Sequence, residues 1–295
     1  MNKGQCRVLV FGEGSYIGRS FVRFAAARSD VENSGTGFEV SGLSSRGDSW
    51  KGVDFSSFDT VLFCAGIAHV SPKKVPRDVY FAVNCDLAVE VAKKAKRDGV
   101  GQFVFLSTMA AASPLVTSAD FGGNVVTRGS SAVNFYGQSK YEAEKQLQAL
   151  ESGNFKICIV RPPMVYGAGC KGNFPRLVRL AKHTPIFPDV PNKRSMIFID
   201  NLCAFLLRLI ENGSRGVYLP QNREWVNTTE LVVLIRQALG KKTYTTKIFN
   251  WLIRLFMGLP VVNKLFGSLV YARDNDDFLC GEVEFGESVR ASLMD

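Results

Sequence analysis

Short apolar runs alternate along this chain with segments in which apolar residues recur at helical spacing. The runs are rich in β-branched and aromatic residues, which predicts buried strands over residues 7–11, 38–43, 60–66, 101–106 and 156–160. Helices are predicted between them, for example over residues 19–28. Another helix is expected to begin at Asn84, because Leu87 and Val91 share one face and a run of Lys and Arg lies opposite. This alternation predicts an α/β fold with a doubly wound parallel sheet, whose ligands bind at the carboxyl ends of the strands.

Two prolines mark the point where the chain leaves this predicted sheet. The segment Arg161-Pro162-Pro163 follows the fifth apolar run, and proline imposes an extended backbone on itself and on the residue before it. We therefore expect a nucleotide-binding domain over residues 1–165 and a smaller C-terminal lobe, mainly for substrate binding, over residues 166–295. Residues 196–220 are expected to return to the first domain, with residues 196–199 rejoining the main sheet, since residues 200–210 have the pattern of a covering helix.

A glycine-rich turn follows the first strand and precedes the first helix. Gly12 permits a tight turn, and Gly18 lets the helix pack closely on the strand. The N-terminus of a helix presents N–H groups that attract an anion, so this strand, turn and helix predict a dinucleotide pyrophosphate site of the Rossmann type. The predicted cofactor contacts in the turn are Gly12, Gly14, Ser15, Tyr16, Ile17 and Gly18.

The end of the second strand bears on which dinucleotide binds. A site for NAD usually has an acidic residue there, which accepts the ribose hydroxyls. Here Ser45 and Arg46 follow the strand, and a guanidinium matches the geometry of the additional phosphate of NADP. The sequence therefore favours NADP slightly over NAD, with Asp48 or Asp54 as acidic alternatives if the strand ends elsewhere.

Small and hydroxylated residues end the next two strands. Ala65 and Gly66 would let a cofactor lie across the third strand, and Ser107-Thr108 ends the fourth. A Tyr and a Lys follow later in the chain, at positions 136 and 140, one helical turn apart on the same helix face. An ammonium near a phenol lowers the pKa of the phenol, which suits a tyrosine that exchanges protons near neutral pH.

Composition narrows the class of protein. The net charge of +9 indicates anionic partners, and no dense Lys/Arg block with interleaved aromatic residues is present, so nucleic acid is not expected. The seven cysteines are dispersed, which suits a reducing cytoplasm, and with two histidines no metal-ligand spacing appears. No signal-peptide pattern and no uncharged run of membrane-spanning length occurs.

Residues 248–271 form a basic, amphipathic stretch that Pro260 divides. One interpretation is a pair of short helices that cover a substrate cleft. The other is weak peripheral contact with the inner membrane, since basic residues interspersed with Trp, Phe and Leu are typical of interfacial helices.

These motifs, in this order, resemble the extended short-chain dehydrogenase/reductases, the NAD(P)-dependent nucleotide-sugar epimerase/dehydratase family. The resemblance rests on the glycine turn, Ser107-Thr108, Tyr136 with Lys140, the segment 161–167, and the later segments 173–177 and 194–202. It covers nearly the whole chain. It implies an enzyme that binds NAD(P) and a nucleotide sugar, and it makes a homodimer the expected assembly.

The resemblance also implies roles for individual residues. Tyr136 would be the acid/base group, Lys140 would lower its pKa and hold the nicotinamide ribose, and Thr108 would hydrogen-bond the reacting oxygen. Ser107 is the alternative to Thr108 if the register shifts by one. The substrate diphosphate would be bound by Arg194 and Asn173. Further cofactor contacts would be Ser45, Arg46, Ala65, Gly66, Asn84, Ser107, Tyr136, Lys140 and Pro163.

Departures from the family pattern narrow the set of reactions that the protein is expected to catalyse. Sugar 4,6-dehydratases have an Asp-Glu pair after the catalytic Thr, whereas Met109 and Ala110 stand here, which disfavours a dehydratase. The family often has Gly where Ser15 stands, and hexose 4-epimerases of the best-known kind have Asn where Met164 stands. The leading hypothesis is 4-epimerisation of a UDP-hexose or UDP-N-acetylhexosamine through a transient 4-keto intermediate, for cell-surface polysaccharide synthesis. The alternatives are an NADPH-dependent 4-ketoreductase of a nucleotide sugar and, last, a catalytically inactive cofactor-binding regulator.

Overall fold

Six parallel strands form the main sheet of the protein. The computed structural model describes residues 5–29, 37–68, 75–111, 135–271 and 279–294. Over these residues the chain divides into two units. The first unit contains the described residues of the ranges 5–111, 135–162 and 202–220, and the second those of the ranges 163–201 and 221–294.

The main sheet belongs to the first unit. Its central strands are buried on both faces, which explains why they appear in the sequence as continuous apolar runs. The strands are β1 (Cys6–Phe11), β2 (Phe38–Leu43), β3 (Thr60–Phe63), β4 (Gln102–Leu106), β5 (Lys156–Val160) and β9 (Gly216–Tyr218). Their order across the sheet is β2-β1-β3-β4-β5-β9. The prediction of an α/β fold with a parallel Rossmann-type sheet is confirmed.

Helices connect the strands of this sheet. They are α1 (Tyr16–Ser29), α2 (Arg77–Phe81), α3 (Leu87–Arg97), α4 (Phe135–Gln148) and α6 (Ile199–Glu211), and α6 begins in the second unit. A π-helical turn over Ala82–Asp86 joins α2 to α3. The expectation that a helix begins at Asn84 was therefore wrong, because Asn84 lies inside a continuous helical segment. None of the described helices is both long enough and apolar enough to cross a membrane.

The order of the strands reverses between β1 and β3. In open α/β sheets, ligands bind in the crevice at the carboxyl ends of the strands where the order reverses. The backbone N–H of Cys64, which follows β3, donates to the carbonyl of Phe11 at the end of β1 over 2.8 Å. The glycine turn and the residues after β3 are thus held side by side at this edge of the sheet.

The second unit consists of short strand pairs and helices. The parallel pairs are β6 (Met164–Tyr166) with β8 (Met196–Phe198), β7 (Ile186–Pro188) with β11 (Tyr244–Thr246), and β10 (Gln221–Asn222) with β12 (Leu279–Cys280). The helices are α5 (Asn173–His183), α7 (Thr228–Ala238), α8 (Asn250–Leu255), α9 (Pro260–Phe266) and α10 (Phe285–Ala291). The expectation that residues 196–199 rejoin the main sheet was wrong, since β8 pairs with β6.

A buried tyrosine joins three elements of the second unit. The hydroxyl of Tyr166, in β6, lies 2.6 Å from Ser288 Oγ in α10 and accepts a hydrogen bond from Asn222 Nδ2 in β10 over 3.0 Å. Burial raises the pKa of Tyr166 to about 12, so the phenol stays protonated. This tyrosine of the segment 161–167 therefore has a structural role within the unit.

Candidate active site

The glycine turn brings the backbone of β1 and α1 close to the end of β3. Gly12 has a φ of 91°, a value that favours glycine, and a Cβ there would lie 2.6 Å from the backbone nitrogen of Ala65. A Cβ on Gly18 would lie 2.5 Å from the carbonyl oxygen of Gly12. At Gly14, by contrast, a Cβ would meet no atom within 4 Å. The turn is closed on the sheet side and open at Gly14, which leaves its backbone accessible to a phosphate.

Ser15 stands where the resembling family often has glycine, and here it caps α1. Its Oγ accepts a hydrogen bond from the backbone N–H of Gly18 over 3.0 Å, as an N-cap residue does. Tyr16 and Ile17 form the first turn of the helix and are both half-buried. The serine therefore satisfies one N–H group of the helix N-terminus, the end of a helix that attracts an anion.

The end of β2 carries charges of both signs. The Leu43 carbonyl accepts hydrogen bonds from the backbone N–H groups of Gly12 and Glu13, over 2.8 and 3.4 Å, so the glycine turn lies against the strand end. The Glu13 carboxylate occupies the place where a side chain on Gly42 would stand. Ser45 is half-buried and Arg46 is exposed. Sequence reasoning missed Glu13, although an acidic residue inside a glycine turn was a visible signal.

Asn84 lies in the π-helical turn and is completely buried. Its Oδ1 accepts from the backbone N–H of Ile67 over 2.8 Å, and its Nδ2 donates to the Ile67 carbonyl and to Ser139 Oγ over 3.2 and 3.1 Å. π-Helical turns inside α-helices are frequent at functional sites. Asn84 fixes the segment after β3 to helix α4, and sequence reasoning missed Ser139 as its partner.

Lys140 projects from α4 beneath the ends of β3 and β4. Its Nζ donates to the Leu106 carbonyl over 2.8 Å and lies 3.5 Å from the Ala65 carbonyl. Burial lowers the pKa of Lys140 to about 8, against the opposing effect of Cys64 and Glu144. A Cβ on Gly66 would lie 3.4 Å from this nitrogen, so glycine keeps the space beside the ammonium open.

Tyr136 and Thr108 meet at the carboxyl end of β4. The two hydroxyls form a hydrogen bond, and Thr108 begins a short 3₁₀ turn over Met109–Ala111. Burial raises the pKa of Tyr136, and the hydrogen bond to Thr108 only partly opposes the rise. The expectation that Lys140 lowers the pKa of Tyr136 was wrong, because desolvation of the phenol raises this pKa and is opposed by Thr108 rather than by Lys140.

Ser107 points into a buried ionic network. Its hydroxyl donates to the carboxylate of Glu144, which also accepts from Arg161 Nε over 2.9 Å. Glu144 lies on α4, one turn after Lys140, and only 3% of its side chain is exposed. Because the Ser107 hydroxyl is engaged here, Thr108 is the residue of the pair that faces Tyr136. Sequence reasoning missed Glu144, whose spacing from Lys140 placed it on the same helix face.

The two predicted diphosphate-binding residues lie in the second unit. Arg194 is half-buried, with Nε donating to the Gly267 carbonyl over 3.0 Å, and burial lowers its pKa. The ion pairs found between described residues do not involve Arg194. Asn173 is exposed at the first turn of α5, whose N-cap is Gly172. Pro163 is buried at the start of the second unit.

Residues 8–222 match the family model described as the NAD dependent epimerase/dehydratase family, and the chain belongs to that family. It is thus an enzyme of the extended short-chain dehydrogenase/reductase type, with a site for a nicotinamide dinucleotide.

The proteins to which this chain is similar include both epimerases and reductases. The chain is 32% identical over 275 residues to a UDP-glucose 4-epimerase of Vibrio cholerae, an alignment that covers 87% of this chain and 80% of the relative. Its fold is similar to that of Thermus thermophilus UDP-glucose 4-epimerase in complex with NAD, with a TM-score of 0.66, 18% identity and 97% of both chains covered. It is also similar to dTDP-4-dehydrorhamnose reductase from Bacillus anthracis in complex with NADP, with a TM-score of 0.60, 19% identity and coverages of 84% and 86%.

Proposed function

We propose that the protein is a nucleotide-sugar 4-epimerase that acts on a UDP-hexose or UDP-N-acetylhexosamine through a transient 4-keto intermediate. The observation that carries the proposal is the hydrogen bond between the Tyr136 and Thr108 hydroxyls. Tyr136 lies one helical turn before Lys140, which is buried. It supplies an acid/base group and a partner for the reacting oxygen, as conversion of an alcohol to a ketone requires. The similarity to a UDP-glucose 4-epimerase supports the type of reaction. The proposal includes a cytoplasmic homodimer that serves cell-surface polysaccharide synthesis.

The residues at the carboxyl ends of β1 and β3 fit a nicotinamide dinucleotide. The close approach of Gly12 to Ala65 and the open face of Gly14 leave backbone where a pyrophosphate would lie. Gly66 leaves space beside the Lys140 ammonium, which would hold the nicotinamide ribose. When bound, the cofactor supplies the acceptor and donor of a hydride.

In the proposed reaction, the phenolate form of Tyr136 would take the proton of the sugar C4 hydroxyl while the C4 hydrogen leaves as a hydride. Thr108 hydrogen-bonds the oxygen that becomes the C4 carbonyl. The 4-keto sugar then turns over, the hydride returns to its other face, and Tyr136 returns the proton. Since hydride and proton both return to the sugar, no cofactor is consumed.

Arg194 and Asn173 are proposed to bind the substrate diphosphate. The half-buried Arg194 guanidinium donates to the main-chain carbonyls of Gly267 and Asn263. The ion pairs between described residues do not include it, so its positive charge can meet the negative charge of a diphosphate. Arginine is well suited to a diphosphate because its planar donors match two oxygens at once. Asn173 would add an amide hydrogen bond at the N-terminus of α5.

The choice between NADP and NAD is proposed to depend on Arg46 and Glu13. Arg46 would bind the additional phosphate of NADP. The Glu13 carboxylate lies next to Gly42, near the end of β2, and would repel this phosphate. We expect Arg46→Gln to weaken NADPH binding about tenfold, because one charge-assisted hydrogen bond to the additional phosphate is lost. NADH lacks this phosphate, so its binding should change little. We expect Glu13→Gln to strengthen NADPH binding. Fluorescence titration with both nucleotides measures these affinities.

A second arginine provides the control for this prediction. Arg23 is exposed on α1, two turns beyond the glycine turn, so Arg23→Gln should leave both affinities unchanged. Equal weakening of NADH and NADPH by Arg46→Gln would contradict a role in selecting the phosphate.

The proposed activity is tested by incubating the protein with UDP-glucose or UDP-N-acetylglucosamine and each oxidised cofactor. The epimerase proposal expects C4 epimers by NMR, with no net reduction of the cofactor. The reductase alternative, which Arg46 favours, instead expects stoichiometric loss of NADPH absorbance in the presence of a 4-keto nucleotide sugar. The inactive-regulator alternative would gain support if Tyr136→Phe left the cellular activity of the protein intact.

A further inference from the structure

The second unit exposes a set of large apolar side chains around α8. Trp251 and Leu255 of this helix are 67% and 70% exposed, and Ile248 just before it is 74% exposed. Isolated exposed apolar residues are ordinary, but a run of them along one segment marks an interaction surface. The apolar surface comprises Ile186, Tyr244, Ile248, Phe249, Trp251, Leu252, Leu255, Phe256 and Leu259.

The backbone under the apolar surface is fixed by hydrogen bonds. Tyr244 pairs with Ile186 in register across β11 and β7, so their exposed side chains lie next to each other. The N–H of Asp189 donates to the Thr246 carbonyl over 2.8 Å, and Asn250 Nδ2 donates to the Asp189 carbonyl over 2.7 Å. These bonds tie the start of α8 to the end of β7. The apolar side chains are therefore presented by an anchored segment.

The chain around α8 is basic. Residues 237–263 contain four Lys and Arg residues, all of them exposed, and no Asp or Glu. Arg254 is exposed within α8 itself, and Lys247, directly before Ile248, is also exposed and lies 3.7 Å from the Asp189 carboxylate. Such a surface would meet an anionic layer favourably, since each basic residue near anionic lipid contributes to binding.

We infer that the apolar surface is a peripheral docking site for a lipid bilayer that contains anionic lipid. Interfacial helices combine Trp, Phe and Leu with Lys and Arg, which is the composition found around α8. Trp in particular prefers the boundary between headgroups and acyl chains. A protein interface of standard type is instead depleted in Lys, and this segment contains several. The inference is independent of the proposed reaction, because none of these residues belongs to the candidate active site.

Vesicle co-sedimentation of the full chain tests the inference. Phosphatidylcholine vesicles with phosphatidylglycerol should bind the protein about tenfold more strongly than vesicles without it, and high salt should remove the difference because it screens the charges. On binding, the emission of Trp251 should shift to shorter wavelength as the indole leaves water. The other two tryptophans are Trp50, which is buried, and Trp225, which is half-buried with its indole N–H donating to the Tyr271 carbonyl, so Trp251→Phe should remove most of the shift without removing binding.

Paired substitutions separate the apolar and the basic contributions. Trp251→Ser combined with Leu255→Ser should reduce binding to anionic vesicles by about tenfold or more, because two side chains that enter the boundary layer are lost. Arg254→Glu should reduce binding to anionic vesicles only. The matched controls are Leu180→Ser on α5, where Leu180 is 37% exposed, and Arg97→Glu on α3, and neither should change binding.

Two results would overturn the inference. One is equal sedimentation of the wild-type protein with both kinds of vesicle at low salt. The other is no vesicle binding together with self-association that the Trp251 and Leu255 substitutions abolish, which would show that a second copy of the chain covers the surface. All variants carry changes at exposed positions, so circular dichroism and the epimerase assay should match the wild type.

Discussion

Tyr136→Phe should lower the rate of 4-epimerisation by about 10²- to 10⁴-fold, the usual contribution of a positioned acid/base group. The substitution removes one hydroxyl and leaves the ring, which lies on α4 beside the end of β4. Phe cannot take the proton of the C4 hydroxyl, so the hydride cannot leave without creating a protonated ketone. The measurement is kcat and KM for the UDP-sugar found active, with epimers followed by NMR. We expect the loss in kcat and little change in KM, because the phenol acts on the transition state.

Tyr141 provides the matched control, since it lies on the same helix and is 41% exposed. Tyr141→Phe should retain the wild-type rate, and Thr108→Val should fall between the two because it removes the hydrogen-bond partner but not the acid/base group. Equal rates for Tyr136→Phe and Tyr141→Phe would contradict the proposed role. Binding of the oxidised cofactor by all three variants would show that the fold and the dinucleotide site are intact.

The strands of the main sheet were predictable because burial on both faces leaves a continuous apolar signal. The bounds of β2 and β5 agree with the sequence prediction, and those of β1, β3 and β4 differ by one residue or a few. The glycine turn was equally visible, since Gly12 has no substitute at its φ of 91° against Ala65. Such features depend on local backbone and burial, both of which leave a mark in the sequence.

Asn84 shows why other features were not predictable. Asn often begins a helix, and the apolar periodicity after it supported that prediction. In the structure its amide instead bonds Ile67 and Ser139, which are distant in sequence, and the helix continues through it. The pairing of β8 with β6 is a similar case, because three residues carry no information on which strand they will join.

The candidate site likewise has features that the sequence predicts and features that it does not. The spacing of Tyr136 and Lys140 on one helix face follows from helical geometry, but the direction of the Tyr136 pKa shift depends on burial. The choice between Ser107 and Thr108 depends on Glu144, which takes the Ser107 hydroxyl. The sequence pattern also did not predict that α8 is exposed, because an apolar segment can either cover a cleft or face solvent.

Glu144→Ala is expected to cost about 3–5 kcal/mol of unfolding free energy, the typical result of removing one partner of a buried ion pair. The carboxylate accepts hydrogen bonds from Ser107 and Arg161, and it joins α4 to the ends of β4 and β5. Without it the Arg161 guanidinium, whose side chain is 19% exposed, keeps its charge in a poorly solvated place. The measurement is denaturant unfolding followed by circular dichroism, with the free energy extrapolated to water.

The control for Glu144 is another glutamate of the same helix. Glu142 pairs with Lys145 over 2.5 Å, but the two side chains are 36% and 52% exposed, so solvent screens the pair. Glu142→Ala should therefore change the unfolding free energy by less than about 1 kcal/mol. Both variants lose one carboxylate from α4, so the difference between their changes in unfolding free energy reports the effect of burial and not of charge alone. If the two losses were equal, the network of Ser107, Glu144 and Arg161 would not be what holds this helix to the sheet, and Thr108 would need another reason to face Tyr136.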